Sequence, residues 1–130
     1  MEVRGGHDHF TEVLGRGISE FNRGYYFEAH DILEGLWMET TGRDRLFLQG
    51  LIQVSVGFYH LFNKNFKGAL SQFTKGLSKL ENYLPEHRGV ELKEFTSQIK
   101  RWKLIAQDAL EGRVPEFEPE EAPKIELTHR

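Results

Sequence analysis

The distribution of proline constrains this chain more than any other feature. All of its prolines lie at position 85 or beyond, so the stretch from Met1 to Leu84 contains none. Within that stretch apolar residues recur at spacings of three and four, as they do on the buried face of an amphipathic helix. No window alternates for long between apolar and polar residues, as a half-buried strand would. The pattern therefore predicts an all-α fold.

Five helices are predicted, at about residues 8–22, 25–39, 44–62, 66–84 and 90–111. Asp8 is expected to cap the first helix, and Thr41 with Asp44 to form a capping box before the third. The third helix is apolar on almost every side, so we expect it at the centre of the fold. Its uncharged run is short for a bilayer and contains glutamine and histidine, which favours a core helix over a membrane span.

A repeat becomes visible when the chain is aligned with itself at an offset of 41. The alignment places Phe21–Tyr25 on Phe62–Phe66, with Gly24 and Asn65 in the two turns. Both residue types tolerate the left-handed backbone region. The segments 24–29 and 65–70 resemble the turn and second helix of tetratricopeptide repeats, although the offset exceeds that family's 34-residue period. We therefore expect two helix–turn–helix units in a compact bundle, sealed by the fifth helix.

The 130-residue length fits one domain. We expect residues 1–112 to form a single helical domain, followed by a tail at 113–130 that is rich in proline and glutamate. Two alternatives are open for this tail. It lies extended over the bundle through Val114, Phe117 and Ile125, or it is disordered.

Composition excludes several classes of protein. The absence of cysteine rules out disulfides, a thiol nucleophile and cysteine-ligated metals, and is compatible with the cytoplasm, the expected location. The net charge of −3 argues against nucleic acid as a partner. Residues 64–103 carry 9 basic and 4 acidic side chains, a net charge of +5, which we interpret as solvated helix faces. An acidic or nucleic-acid partner is the alternative reading of that stretch.

Polar side chains interrupt the apolar faces of helices two and three. On helix two they are Glu28, His30, Asp31 and Glu34, with Trp37 in line; on helix three they are Gln49, Gln53 and His60. The short loop between these helices makes them antiparallel neighbours, whose facing residues should have numbers adding to about 82–83. That register places His30 opposite Gln53, Glu34 opposite Gln49, and His60 opposite the turn at residues 22–23. We call this predicted set the polar seam.

Three interpretations of the polar seam are open. It is an interhelical hydrogen-bond network, a pocket for a small ligand or partner, or a metal site. Gln53 and His60 lie about 10 Å apart along the helix, too far to share one ion. We therefore expect no cofactor and no stoichiometric metal, with His30 and Glu34 as the fallback ligands if one binds.

The chain resembles the domain of unknown function 309 family over about residues 18–84. The resemblance rests on Phe27–Glu34 with Trp37, on Phe47–Gln53, on His60, and on Asn65–Ala69. It implies a compact all-helical protein of a small, mostly prokaryotic family, without an established activity. Recurring residues of the family match this chain at Glu28, His30, Glu34, Trp37, Gln49, Gln53, His60 and Asn65.

Two functions from different classes follow as expectations. The first is a scaffold or binding module without enzymatic activity, which engages an unknown protein or small molecule and does not contact a membrane. The second is a hydrolase-like enzyme, with or without a metal, that uses Glu28, His30 or Glu34. Self-association through aromatic surface residues is a third, structural reading.

Overall fold

The computed structural model describes residues 5–113 and 116–128, the first four of them by their backbone alone. The helices are α1 (Gly5–Asn22), α2 (Tyr26–Met38), α3 (Arg43–Phe62), α4 (Phe66–Leu80) and α5 (Lys93–Leu110). Short 3₁₀ turns lie at Glu81–Tyr83 and Pro119–Glu121, and a hairpin of two short strands, β1 (Glu86–His87) and β2 (Val90–Glu91), precedes α5. The described residues thus form a five-helix, all-α fold, as the sequence predicted.

Each helix packs against the helix that follows it in the sequence, and α3 lies between α2 and α4. The aromatic core centres on Phe58 of α3, whose ring contacts Phe21, Phe73 and Trp102 at centroid distances of 4.8–5.8 Å. These four side chains are at most 2% exposed. The central, buried position predicted for the third helix follows from this packing.

The two helix–turn–helix units correspond at an offset of 40, one less than the offset predicted from residue identities. Gly24 and Lys64 occupy the left-handed position of the two turns, with φ of 87° and 62°. A Cβ atom on Gly17 would lie 2.6 Å from Leu33, and one on Gly57 would lie 2.6 Å from Phe73. Each unit therefore has a glycine on its first helix that lets the second helix pack closely against it, and the two glycines are 40 residues apart.

Several predicted helix ends are corrected by the structure. Because α1 begins at Gly5, Asp8 lies inside that helix and is not its N-cap. The predicted capping box does not form, since α3 has no side-chain cap at its N-terminus. Asn65 is the N-cap of α4, with φ of −93° rather than in the left-handed region, and its side chain accepts a hydrogen bond from the Gly68 amide.

The hairpin was not predicted. Its central residues Arg88 and Gly89 both have positive φ, as in the two-residue turns that match the right-handed twist of the flanking strands. Only two residues on each side pair, so the strands are too short to give an alternating pattern. Val90 of β2 also forms a bridge to Leu127, which adds the tail as a third extended segment.

The described part of the tail, residues 116–128, lies along the bundle. Phe117 packs edge-on against Trp102 and contacts Phe62, and Ile125 is only 4% exposed. The side chain of Asn22 donates to the Ile125 carbonyl at 2.9 Å and accepts from the Ile125 amide at 2.7 Å. Val114, the third predicted contact, lies outside the described residues. Of the helices described, none is long and apolar enough to cross a membrane.

Candidate functional site

His30, Asp31 and Glu34 form a cluster on the outer side of α2. The His30 Nδ1 atom lies 3.3 Å from a carboxylate oxygen of Asp31, and its Nε2 atom lies 3.8 Å from a carboxylate oxygen of Glu34. Helical geometry explains the contact with Glu34, since residues four apart lie one turn above each other. His30 is mostly buried, with 20% of its side chain exposed, whereas both carboxylates are about half exposed.

Three buried side-chain atoms in this region have no hydrogen-bond partner among the described residues. They are Nδ1 of His30, Nε1 of Trp37 and Oε1 of Gln53. A buried polar atom without a partner costs about 1–3 kcal/mol. The interhelical hydrogen bond that the predicted network would need at His30 and Gln53 is therefore not formed.

A small cavity of about 180 Å³ opens beside His30, between α2 and α3. Its walls are Tyr26, Phe27, His30, Val56, Tyr59 and His60. Phe27 and Tyr59 are 49% and 40% exposed, and their rings contact each other at 5.4 Å. Burial raises the pKa of Tyr26 to about 12, so its phenol keeps its proton at neutral pH.

His60 has a defined orientation at the end of α3. Because Asn65 uses its side-chain oxygen to accept from Gly68, its amide nitrogen is free to donate to His60 Nδ1, 3.2 Å away. The Nδ1 atom is then an acceptor, which places the ring proton on Nε2. Of the predicted site residues, the structure therefore brings His60 together with Asn65, and both His30 and His60 line the cavity.

The register of α2 against α3 agrees with the predicted one near the connecting loop, where Arg45 lies over Trp37 and the two numbers add to 82, and departs from it at the far end. Phe27 contacts Tyr59 and Tyr26 contacts Phe58, pairs whose numbers add to 86 and 84 rather than to 82–83. This shift brings His60 toward the His30 side of α2 instead of only to the turn at residues 22–23. The pairings of His30 with Gln53 and of Glu34 with Gln49 stay predictions, and Gln49 is half-buried on α3.

The remaining predicted residues lie at the edges of this region. Glu28 is exposed and borders a wider groove of about 700 Å³ at the turn between α1 and α2. Trp37 is covered by the Arg45 guanidinium, 3.8 Å from its ring centre. Arg45 also donates to the carbonyls of Trp37 and Thr40, so it closes the corner between α2 and α3. This contact gives Trp37 a structural role.

The sequence did not reveal a second polar cluster, at the N-terminus of α3. Asp44 accepts from His87 at 2.7 Å and from Arg88 at 2.5 and 3.1 Å. The Arg88 hydrogen bond, and then the His87 one, hold the pKa of Asp44 below its ordinary value against the opposing effect of burial. The Arg88–Gly89 turn was the available signal, but Arg is not a residue that two-residue hairpins prefer.

The comparisons with known proteins cover the region that holds the cavity. Residues 14–72 match the family model described as "Domain of unknown function (DUF309)". A relative is the uncharacterized protein YpuF of Bacillus subtilis (strain 168), which is 37% identical to this chain over 67 residues. The alignment covers 51% of this chain and 37% of YpuF, so the chain spans well under half the length of that relative. Residues 14–72 of the chain are thus similar to the domain of unknown function 309 family.

Proposed function

We propose that this protein is a binding module and that its site is the α2–α3 face, defined here by Phe27, His30, Glu34, Tyr59 and His60. One observation carries the proposal: His30, which has a buried ring nitrogen without a hydrogen-bond partner, lies in the wall of an open cavity whose aromatic walls are exposed. A buried imidazole nitrogen without a partner does not stabilise the fold, whereas a ligand that hydrogen-bonds to it binds with higher affinity because of that bond.

The arrangement suits a small ligand or side chain with an apolar part and a polar part. Phe27 and Tyr59 offer ring faces for stacking, and such contacts contribute about 0.5–1.5 kcal/mol beyond the buried area. The His60 Nε2–H is a donor, while Glu34 is an acceptor. Together they give the concave, mostly apolar surface with a few polar groups that is typical of ligand sites.

Replacing His30 with Leu tests whether the seam is structural or serves binding. We expect the free energy of unfolding to stay the same or to rise, because the substitution removes an unpartnered buried atom. The matched control is His87→Leu, which breaks a hydrogen bond to the ionised Asp44 and should cost about 1.5–3 kcal/mol. Urea denaturation measures both variants.

Glu34→Gln provides a second test at an exposed position. A binding residue that is half exposed should change the free energy of unfolding by less than about 0.5 kcal/mol when its charge is removed. A loss of more than about 1 kcal/mol in both His30→Leu and Glu34→Gln would show that the seam is a structural network. In that case the proposed site is abandoned.

A hydrolase is the second candidate, favoured by the proximity of an imidazole to two carboxylates within 4.8 Å. A general base must lie within hydrogen-bond reach of the proton that it removes, and a substrate seated in the cavity beside His30 would satisfy that condition. Hydrolysis of a nitrophenyl ester or phosphodiester that disappears in Glu34→Gln would support this candidate over a pure binding module.

A further inference from the structure

The cluster on α2 has the composition of a metal site. Imidazole and carboxylate are ligands of divalent zinc and its neighbours in the first transition row. One ligand atom from each of His30, Asp31 and Glu34 can be chosen so that all three lie within 4.8 Å of one another. The sequence had indicated only the pair of His30 and Glu34, because neighbouring residues on a helix do not generally face each other.

The separations within the cluster fit coordination by one ion. Two ligand atoms bound at about 2.0–2.2 Å to a tetrahedral ion lie about 3.3–3.6 Å from each other. His30 Nε2 and the Glu34 oxygen are 3.8 Å apart, so a small rotation of the exposed Glu34 side chain brings them to that distance. The cluster therefore needs no backbone movement to accept an ion.

A second, independent observation is the buried Nδ1 atom of His30, which has no hydrogen-bond partner. When a metal binds one imidazole nitrogen, the other nitrogen carries the proton and usually donates it to a carboxylate. The Asp31 oxygen lies 3.3 Å away but not in hydrogen-bonding geometry, so a rotation of this half-exposed side chain is needed before it accepts that proton. Metal on Nε2 would fix the ring proton on Nδ1, and a hydrogen bond from Nδ1 to the rotated Asp31 carboxylate would then satisfy this buried atom.

The electrostatic surroundings also favour a cation. Helix α2 carries three acidic residues and neither lysine nor arginine. Within the described residues, His30 is the only basic group in contact with Asp31 or Glu34. The two carboxylates therefore present negative charge that the rest of the described chain does not neutralise at close range.

We propose that His30 Nε2 and Glu34 bind a divalent late first-row transition ion, with Asp31 as the residue that orients the imidazole. This inference rests on the proposed binding function of the α2–α3 face, and names the ligand class that its polar half takes. Two protein ligands leave coordination positions open toward solvent and the cavity, where a ligand atom or water completes the shell.

Zinc titration of the full chain by calorimetry tests the proposal, with magnesium as the comparison ion. We expect one zinc per chain and no magnesium binding, because imidazole favours zinc. His30→Ala should abolish the zinc signal, and Asp31→Asn should weaken the affinity roughly tenfold or more, as the loss of other orienting carboxylates does. If His30→Ala does not fold, Glu34→Gln replaces it in the test, because this position is about half exposed and the substitution should remove zinc binding without unfolding the chain.

The matched control is His9→Ala. His9 lies 2.7 Å from Glu39, so it is also a histidine beside a carboxylate, but it is about half exposed and lies outside the proposed site. Zinc binding that survives in this control and is lost in Glu34→Gln supports the proposal. Zinc binding that is lost in the control, or absent from the unmodified chain, overturns the metal site. The proposed binding function is tested separately, by the free energies of unfolding of His30→Leu and Glu34→Gln.

Discussion

At the scale of single residues, Gly57 shows how closely the helices of a unit approach each other. A Cβ atom at this position would lie 2.6 Å from two ring carbons of Phe73, which is fully buried. Gly35 is the opposite case, because a Cβ atom there would meet nothing within 4 Å. One glycine is therefore required by packing, and the other is not.

Substituting both glycines with alanine separates packing from helix propensity. Gly57→Ala should lower the free energy of unfolding by about 1–3 kcal/mol, because the ring of Phe73 must move within a filled core. Gly35→Ala should raise it by about 0.5–1 kcal/mol, because alanine favours the helix. Urea denaturation of the two variants measures the difference, and a stabilised Gly57→Ala would contradict the packing described here.

At the scale of elements, Asp44 joins the first turn of α3 to the β1–β2 hairpin. A carboxylate in the first turn of a helix is favoured by the helix dipole, and here it also accepts hydrogen bonds from His87 and Arg88. Arg88 additionally lies 4.3 Å from the ring centre of Phe10 on α1. The turn of the hairpin therefore contacts two helices, α3 through Asp44 and α1 through Phe10.

The ion pair of Asp44 predicts a dependence of stability on pH. A carboxyl group whose pKa is lower in the folded state stabilises the fold above its unfolded pKa, here 3.8, and ceases to do so as pH falls through the lower, folded value. Asp44→Asn should therefore lose about 2 kcal/mol at pH 7, and this difference from the unmodified chain should shrink below about pH 4.

Asp108→Asn is the matched control for this experiment. Asp108 pairs with Arg113 at 2.8 Å, but about half of its side chain is exposed. An exposed ion pair contributes little, so the control should change the free energy of unfolding by less than about 1 kcal/mol. A difference between Asp44→Asn and the unmodified chain that persists unchanged at about pH 2 would refute the role given to the charge.

The elements differ in how far their sequence determines them. The five helices were predictable because their apolar spacing is long and regular, and His30 and Glu34 were brought together by spacing within one helix. The Asp44 cluster was not, because its partners are 43 and 44 positions away and no local pattern links them. The register of α2 on α3 agrees with the prediction near the loop, where Arg45 contacts Trp37, and departs from it at the far end, where aromatic rings such as Tyr59 fill the space between the helices.

At the scale of the whole molecule, the C-terminal segment holds the first unit to the last helix. Asn22, at the end of α1, forms two hydrogen bonds with the backbone of Ile125. Phe117 contacts Trp102 on α5 and Phe62 on α3. Residues beyond the fifth helix therefore take part in the fold.

Deleting residues 116–130 should destabilise the protein by roughly 3–5 kcal/mol. The estimate combines the burial of Ile125, about 1.5–3 kcal/mol for a fully buried side chain, with the two bonds to Asn22, about 0.5–1.5 kcal/mol each; Phe117 is only partly buried and contributes less. Asn22→Ala in the full chain should account for about 1–2 kcal/mol of this loss. Thermal unfolding of both proteins measures the effect, and a deletion that leaves the transition unchanged would exclude a structural role for the segment.

The cavity beside His30 lies across the boundary between the two helix–turn–helix units. One wall comes from α2, the last helix of the first unit, and the other from α3, the first helix of the second. Cleaving the chain within the Thr40–Gly42 connection would leave half of the walls on each fragment. Recovery of ligand or zinc binding on mixing two such fragments would then measure how well the halves of the protein reassemble.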